Sequence, residues 1–337
     1  MNNDLHEIDL SPRAPRLNAR LLSDLIDLYL RDISRTAQGK TVTGYRAKLR
    51  HVVEWWSVAG PACGWTLGGD ELAALNVHLT TLVSERGEAL SYNSRNDVLR
   101  RFRQCLRWAY EKRYVTIDLS DEVPAAHGAP PIRHPVELEA LAKLLAAARR
   151  GSAAGRDVAL IALLAGTGIR CEECAALRSH DVTLYADGSG YAVLARVVKL
   201  DKPRIVGIDA ATGVQVRPWL DSLPATSPLF PSRNGGGMKA LSPAGVYKLV
   251  VRLAEIAGVR DHVQGPHDLR RMFATLWMRR LPGAGYGELL QRQLGHASFA
   301  TTQRYSLQDV DRVLQVMRQE ACSPMAQLAE SQGLSRP

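Results

Sequence analysis

Residues 266–305 read PHDLRRMFATLWMRRLPGAGYGELLQRQLGHASFATTQRY. His267 and Arg270, three apart, share one face of a helix. Leu294-Gly295-His296 closes an apolar period, and Tyr305 stands nine residues after His296. Arg170 and Lys199 lie upstream. Transfer at a phosphodiester calls for these residue types. The phosphate carries one negative charge and gains more in the transition state, so preorganised cationic donors must meet it. Arginine stays charged and offers a planar fork to two oxygens. A tyrosine can attack phosphorus and keep the bond energy as an ester, so rejoining needs no ATP. Its pKa of about 10 must be offset by nearby cations or a base. The leaving 5′-oxygen needs a proton from an acid such as lysine or histidine. No Asp/Glu cluster at metal spacing stands among these candidates, which argues against two-metal nuclease chemistry. No Gly-x-x-x-x-Gly-Lys-Ser/Thr loop points to ATP hydrolysis. The sequence therefore predicts a reaction with no metal and no cofactor.

The rest of the chain fits that chemistry. Its 337 residues exceed one ordinary core and suit two domains. Hydrophobic residues at 46% and charged residues at 23% exclude a disordered chain. A formal net charge of +9 favours polyanions, nucleic acid first and an anionic membrane surface second. The longest apolar run, Val158 to Gly166, is half of the ~18 residues a span needs. The first sixteen residues lack the apolar core of a signal peptide, so a cytoplasmic, nucleoid-associated protein without a membrane partner is expected. Five cysteines in no framework spacing argue against a secreted disulfide scaffold. Cys171-x-x-Cys174 has no second pair at zinc spacing and falls within a helical pattern, so both are read as buried or partly buried thiols.

Residues 1–18 carry prolines and arginines without an apolar period and read as a mobile arm. From 19 to 117 the apolar residues recur at helical spacing, as in Leu21, Leu22, Leu25, Ile26, Leu28 and Tyr29. The last helix of this module carries Arg95, Arg100, Arg101, Arg103, Arg107, Lys112 and Arg113 against only Asp97 and Glu111. Seven cations against two acids make poor salt-bridge design and good phosphate-backbone design. Residues 118–135, with four prolines and no apolar period, read as an extended linker. A second module spans 136–320, mostly helical, with strands at Tyr191 to Val198 and Arg204 to Ile208 around a polar turn. Ser242-Pro243 marks a helix start. Residues 321–337 form a tail.

Taken together, these residues resemble the tyrosine recombinase (phage-type integrase) family. The matching elements run in the family's order. They are Ala165-Gly166-Thr167-Gly168-Ile169-Arg170-Cys171-Glu172-Glu173, Lys199 in the strand turn, Pro266-His267-Asp268-Leu269-Arg270-Arg271, Leu294-Gly295-His296-Ala297-Ser298 and Thr301-Thr302-Gln303-Arg304-Tyr305. Read singly, each residue has a bland alternative: a capping or acid-paired arginine, a buried histidine, a core tyrosine. Order and spacing carry the resemblance.

The resemblance implies a mainly α fold: a helical core-binding domain, then a mostly helical catalytic domain with a small antiparallel β-sheet, the DNA breaking-rejoining enzyme fold. It implies Tyr305 as nucleophile, leaving a 3′-phosphotyrosine and a free 5′-hydroxyl. Arg170 and Arg270 would clamp the scissile phosphate, and Lys199 would protonate the leaving oxygen. His267 would act as acid or base, His296 would hydrogen-bond the phosphate, and Glu173 would hold the arginines from behind. The turn Val198-Lys199-Leu200-Asp201-Lys202-Pro203-Arg204 lacks the two glycines common in the family, so Lys202 competes with Lys199 for the acid role and otherwise counts among the DNA-binding cations. Gly207 replaces a common proline. The expected partners are double-stranded DNA with short inverted-repeat core sites, further copies of the chain in a tetramer on two sites, and an accessory or directionality protein. The apolar stripe Val310, Val313, Leu314, Val316 and Met317, with the tail after it, would be exchanged between protomers. Because the helical pattern begins near residue 19, a simple member without an arm-binding domain is expected. A mobile-element recombinase is the favoured context. The alternatives are a type IB topoisomerase, which shares the chemistry, and a DNA-binding accessory protein that has lost cleavage.

Overall fold

The computed structural model describes residues 17–18, 21–37, 39–83, 87–129, 136–194, 204–232, 239–295 and 307–333. Contacts divide the chain into two units, Met1–Ile132 and Arg133–Pro337. Each has a core of its own.

The first unit is built on α1 (Leu22–Ser34), α2 (Gly39–Ala62), α3 (Gly69–Thr81) and α4 (Tyr92–Glu111). In α1 the buried residues Leu22, Ile26, Tyr29 and Leu30 form one stripe at helical period. They join a core with Leu49, Val52 and Trp56 of α2 and Leu99, Phe102 and Leu106 of α4. Strand β1 (Leu17–Asn18) pairs antiparallel with β2 (Thr66–Leu67), Leu17 opposite Leu67. Residues 17 and 18 thus belong to the folded unit, which shortens the arm expected over 1–18. Residues 1–16 lie outside the described residues.

The linker expected over 118–135 also needs correction. Leu119, Val123 and Ala126 are buried in the core of the first unit. The Asn76 side-chain amide donates to the Ala125 carbonyl at 2.7 Å and accepts from the His127 amide at 3.2 Å. Residues 118–129 are therefore a strap folded onto the helices. Proline-rich composition denies the segment a helix or strand, but it does not deny it burial. Residues 130–135, with Pro130-Pro131, lie outside the described residues.

The second unit contains α5 (Leu138–Arg149), α6 (Ala154–Thr167), α7 (Cys171–Ala176), α8 (Ala210–Asp221), α9 (Pro243–Ile256), α10 (Pro266–Arg280), α11 (Ala284–Leu294), α12 (Leu307–Glu320) and α13 (Pro324–Ser331). Helix α6 is buried on every side from Arg156 to Thr167, which makes it the axis of the unit. Ser242 caps α9, its hydroxyl accepting from the Gly245 amide at 3.1 Å. The sheet orders β3 (Val182–Leu184), β4 (Gly190–Leu194) and β5 (Arg204–Ile208) antiparallel. The chain is thus mainly α with small antiparallel sheets, as the sequence leads one to expect.

Helix α12 lies on β5. A Cβ placed on Gly207 would sit 3.1 Å from Val313 and 3.3 Å from both Leu314 and Met317. The tail also stays with its own unit: Met325 and Leu328 of α13 complete the core around α5 and α6. The hydroxyl of Ser323 donates to the buried Asp209 carboxylate, where both residues cap helices, Asp209 on α8 and Ser323 on α13. In this single chain Val313, Leu314 and Met317 of α12 pack on β5, and α13 packs on α5 and α6 of the same unit.

Candidate active site

Helix α6 ends at Gly168, whose φ of +66° is left-handed and favours glycine. The turn throws Arg170 onto the N-cap of α7, where its backbone N–H donates to Glu173 at 2.6 Å. The Arg170 guanidinium reaches Glu173 at 3.2 Å and the Gly295 carbonyl at 2.7 Å. Arg270, buried on α10, donates to the carbonyls of Gly168 at 2.6 Å and Leu294 at 2.8 Å. Arg204, the first residue of β5, forks onto Glu173 at 2.7–3.1 Å and donates to the Gln293 carbonyl. Three consecutive carbonyls at the end of α11, those of Gln293, Leu294 and Gly295, therefore each hold a different arginine. A helix C-terminus presents unpaired carbonyls and the negative end of the dipole, which suits cations. Gly295 itself is left-handed at φ +65°, and a Cβ there would meet the Arg204 Nε at 2.7 Å.

The charges do not balance. Among these four described side chains, three guanidiniums stand against the one carboxylate of Glu173. Burial pushes the Arg270 guanidinium down to about 10, and Arg170 and Arg204 push in the same direction while Glu173 opposes them. For Glu173, burial alone would raise the carboxyl, but Arg204 and Arg170 outweigh it and hold it below the usual carboxylate value. A site with spare positive charge, rigid donors and restricted solvent is a receptor for an anion.

The structure thus brings Arg170, Arg270 and Glu173 together. His267 is exposed on the first turn of α10, three residues before Arg270. Lys199, Lys202, His296 and Tyr305 lie outside the described residues; one described stretch ends at Gly295, next to His296, and another begins at Arg204, just after the lysine turn. Two further residues of this site have no role assigned to them by the sequence. Arg204 closes the turn motif and Gln293 immediately precedes Leu294-Gly295-His296, but neither position by itself signals a role. Gln293 is fully buried. It donates to the Thr167 and Gly207 carbonyls at 3.2 and 3.0 Å and accepts from the Gly207 amide at 2.9 Å. A proline at 207 has no N–H to give it, so the departure from the family's common proline has a structural partner.

The cationic helix α4 is more committed than its charge run suggests. Arg103 donates to the Ser120 carbonyl at 3.2 Å and to that of Val123. Arg107 reaches Ser120 Oγ, Asp118 and Asp121 at 3.0–3.3 Å. Arg101 lies over the Tyr45 ring, 4.0 Å from its centre, and Arg100 pairs with Asp97 at 2.6 Å. The Nε of Arg95 is buried without a hydrogen-bond partner among the described residues. Cys171 is half-buried and Cys174 buried on α7, and burial pushes both thiols up, Cys171 to about 11.

Residues 136–312, more than half of the chain, match the model of the phage integrase family. The chain belongs to that family. Relatives of this integrase-family chain include tyrosine recombinase XerC of Methylobacterium sp. (strain 4-46), 35% identical over 175 residues, with 51% of each chain covered. Tyrosine recombinase XerD of Caulobacter vibrioides is 33% identical over 214 residues, covering 60% of this chain and 67% of the relative. The chain spans about half the length of most of the curated relatives it matches first. In fold it is similar to lambda integrase (residues 75–356), a dimer bound to a COC′ core site, with a TM-score of 0.58, 18% identity and coverage of 84% of this chain and 98% of that one. XerH recombinase, in a post-cleavage complex with a palindromic difH substrate, gives a TM-score of 0.59, 21% identity and coverage of 88% and 84%.

Proposed function

We propose that this chain is a site-specific recombinase that breaks and rejoins DNA through a 3′-phosphotyrosine, without metal or ATP. The observation that carries the reading is the cluster of Arg170, Arg204 and Arg270 around the carboxylate of Glu173, within the residues that match the integrase family. Arg170 and Arg270 clamp two non-bridging oxygens of the scissile phosphate and offset the charge that grows in the transition state. Tyr305 Oη attacks phosphorus, the phosphorus–O5′ bond breaks, and the 3′-phosphate stays on tyrosine. Lys199, with Lys202 as the competing residue, gives the proton to the 5′-oxygen. His267 takes the tyrosine proton, and His296 donates to the phosphate. Attack of a 5′-hydroxyl on the phosphotyrosine reverses the steps and seals a strand, so the phosphoester count is conserved and no ATP is used.

The partner is duplex DNA with inverted core sites, bound by both units, and recombination proceeds in an assembly of four protomers on two sites. The protein works in the cytoplasm on the nucleoid, and an accessory protein sets direction. The relatives' names and the DNA-bound neighbours support this reading, as does the net charge of +9. Its test is covalent trapping. Wild-type protein and Tyr305→Phe are incubated in EDTA with nicked DNA flanking the chain's own gene, then run on a denaturing gel. A protein–DNA adduct with wild type only is expected. Tight binding with no adduct from either would favour an accessory DNA-binding protein, and relaxation of any supercoiled plasmid regardless of sequence would favour a type IB topoisomerase.

A further inference from the structure

Arg204 has no place in the roles above, although it holds both Glu173 and the Gln293 carbonyl at the end of α11. It is buried, with 7% of its surface exposed. The Glu173 carboxylate accepts five hydrogen bonds, three from Arg204 and two from Arg170. A carboxylate offers about four lone-pair sites, so these oxygens are saturated. Without Arg204, the buried carboxylate would keep Arg170 as its cation among these hydrogen-bond donors. The Arg170 guanidinium would then be drawn onto Glu173 as a counter-ion, away from an incoming phosphate. The second hold of Arg204, on the Gln293 carbonyl, fixes the last turn of α11. The next two carbonyls of that turn orient Arg270 and Arg170.

We propose that Arg204 is a positioning residue of the phosphate clamp: it saturates Glu173 so that Arg170 stays available, and it sets the end of α11 on which Arg170 and Arg270 rest. The inference rests on the phosphotyrosine reading. Lysine cannot replace arginine here, since a single ammonium cannot fork onto Glu173 and reach the Gln293 carbonyl together.

The test uses the full chain as wild type, Arg204→Gln, Arg204→Lys and Tyr305→Phe. The probe is the duplex that the wild-type chain enriches from a randomised pool, nicked beside the cleavage position. Two versions are made, one with the ordinary leaving oxygen and one with sulfur in its place, because a thiolate leaves without a proton. Single-turnover adduct formation and non-covalent affinity are measured on both. Arg204→Gln and Arg204→Lys are expected to slow adduct formation roughly 30-fold or more, as small misplacements of positioning groups do. Affinity should stay within about threefold, and sulfur should not restore the rate, because the clamp and not the proton donor is impaired. Rates equal to wild type would overturn the inference about Arg204 alone. Full rescue by sulfur would move its role to leaving-group protonation, and an equal fall in affinity and rate would reduce it to general scaffolding; either overturns it. Should Arg204→Gln fail to fold, Arg204→Lys, which keeps charge and most of the volume, carries the test. No adduct from wild type itself would overturn the phosphotyrosine reading and this inference with it.

Discussion

Glu173 has no exposed side-chain surface and sits between two arginines. Its folded-state carboxyl is held below the usual value, whereas in the unfolded chain it titrates near the ordinary ~4.3. The sign follows from that order. The carboxylate adds stability in full above the unfolded value and loses it as pH falls through the lower folded value. Glu173→Gln should therefore cost about 3 kcal/mol or more at pH 7, since it takes the carboxylate away from the buried Arg204. The gap to wild type should narrow as acid protonates the native carboxyl. Denaturant melts at pH 7 and in the acid range check this, and a gap independent of pH would contradict it. The role of Glu173 behind the arginines follows from the resemblance, but its main partner does not. Arg204 lies thirty-one positions away, and no local period links two residues at that distance.

At the scale of elements, the most informative mismatch is α4 with its strap. Counted along the helix alone, the five arginines Arg95, Arg100, Arg101, Arg103 and Arg107 face only Asp97 and Glu111. The missing partners are the carbonyls and carboxylates of residues 118–123, which a Pro-rich composition gave no reason to place beside the helix. Arg103→Ala should therefore lower the melting temperature of the first unit. It should leave the slope of log Kd against log salt unchanged, whereas loss of a true phosphate contact would reduce that slope by about 0.9. A change in slope without a change in melting would contradict the assignment. The tail gives a second element-scale prediction. Removing residues 321–337 strips Met325 and Leu328 from the core and leaves Asp209 without Ser323. The loss should be about 3 kcal/mol or more from the two apolar side chains alone. Thermal melts of the truncated chain check it, and an unchanged melt would contradict cis packing of α13. Helix α8 escaped the sequence reading for a related reason. Gly213 and Pro218 make AATGVQVRPWLD a poor helix by propensity. Its packing on the apolar axis α6 overrides that preference.

At the scale of the molecule, length and composition suffice for two units, and contacts divide the chain into two, Met1–Ile132 and Arg133–Pro337. The periodic helices of both units and the β4–β5 pair were legible because one local pattern determines each. Long-range features were not: the strap, the short strand β3 and the three carbonyls of α11 that collect three arginines all depend on contacts between segments far apart in sequence. The proposed catalytic residues stand in the sequence as an ordered set of motifs, and the purpose proposed for them, to hold a phosphate for Tyr305, is the central claim. It is tested most directly by identifying the covalent link itself. Protein trapped on nicked DNA in EDTA is digested with trypsin and nuclease, and the peptides are analysed by mass spectrometry. The account predicts a nucleotide joined through its 3′-phosphate to Tyr305, in the peptide Tyr305–Arg312. A nucleotide on another residue, or one joined through its 5′-phosphate, would contradict it.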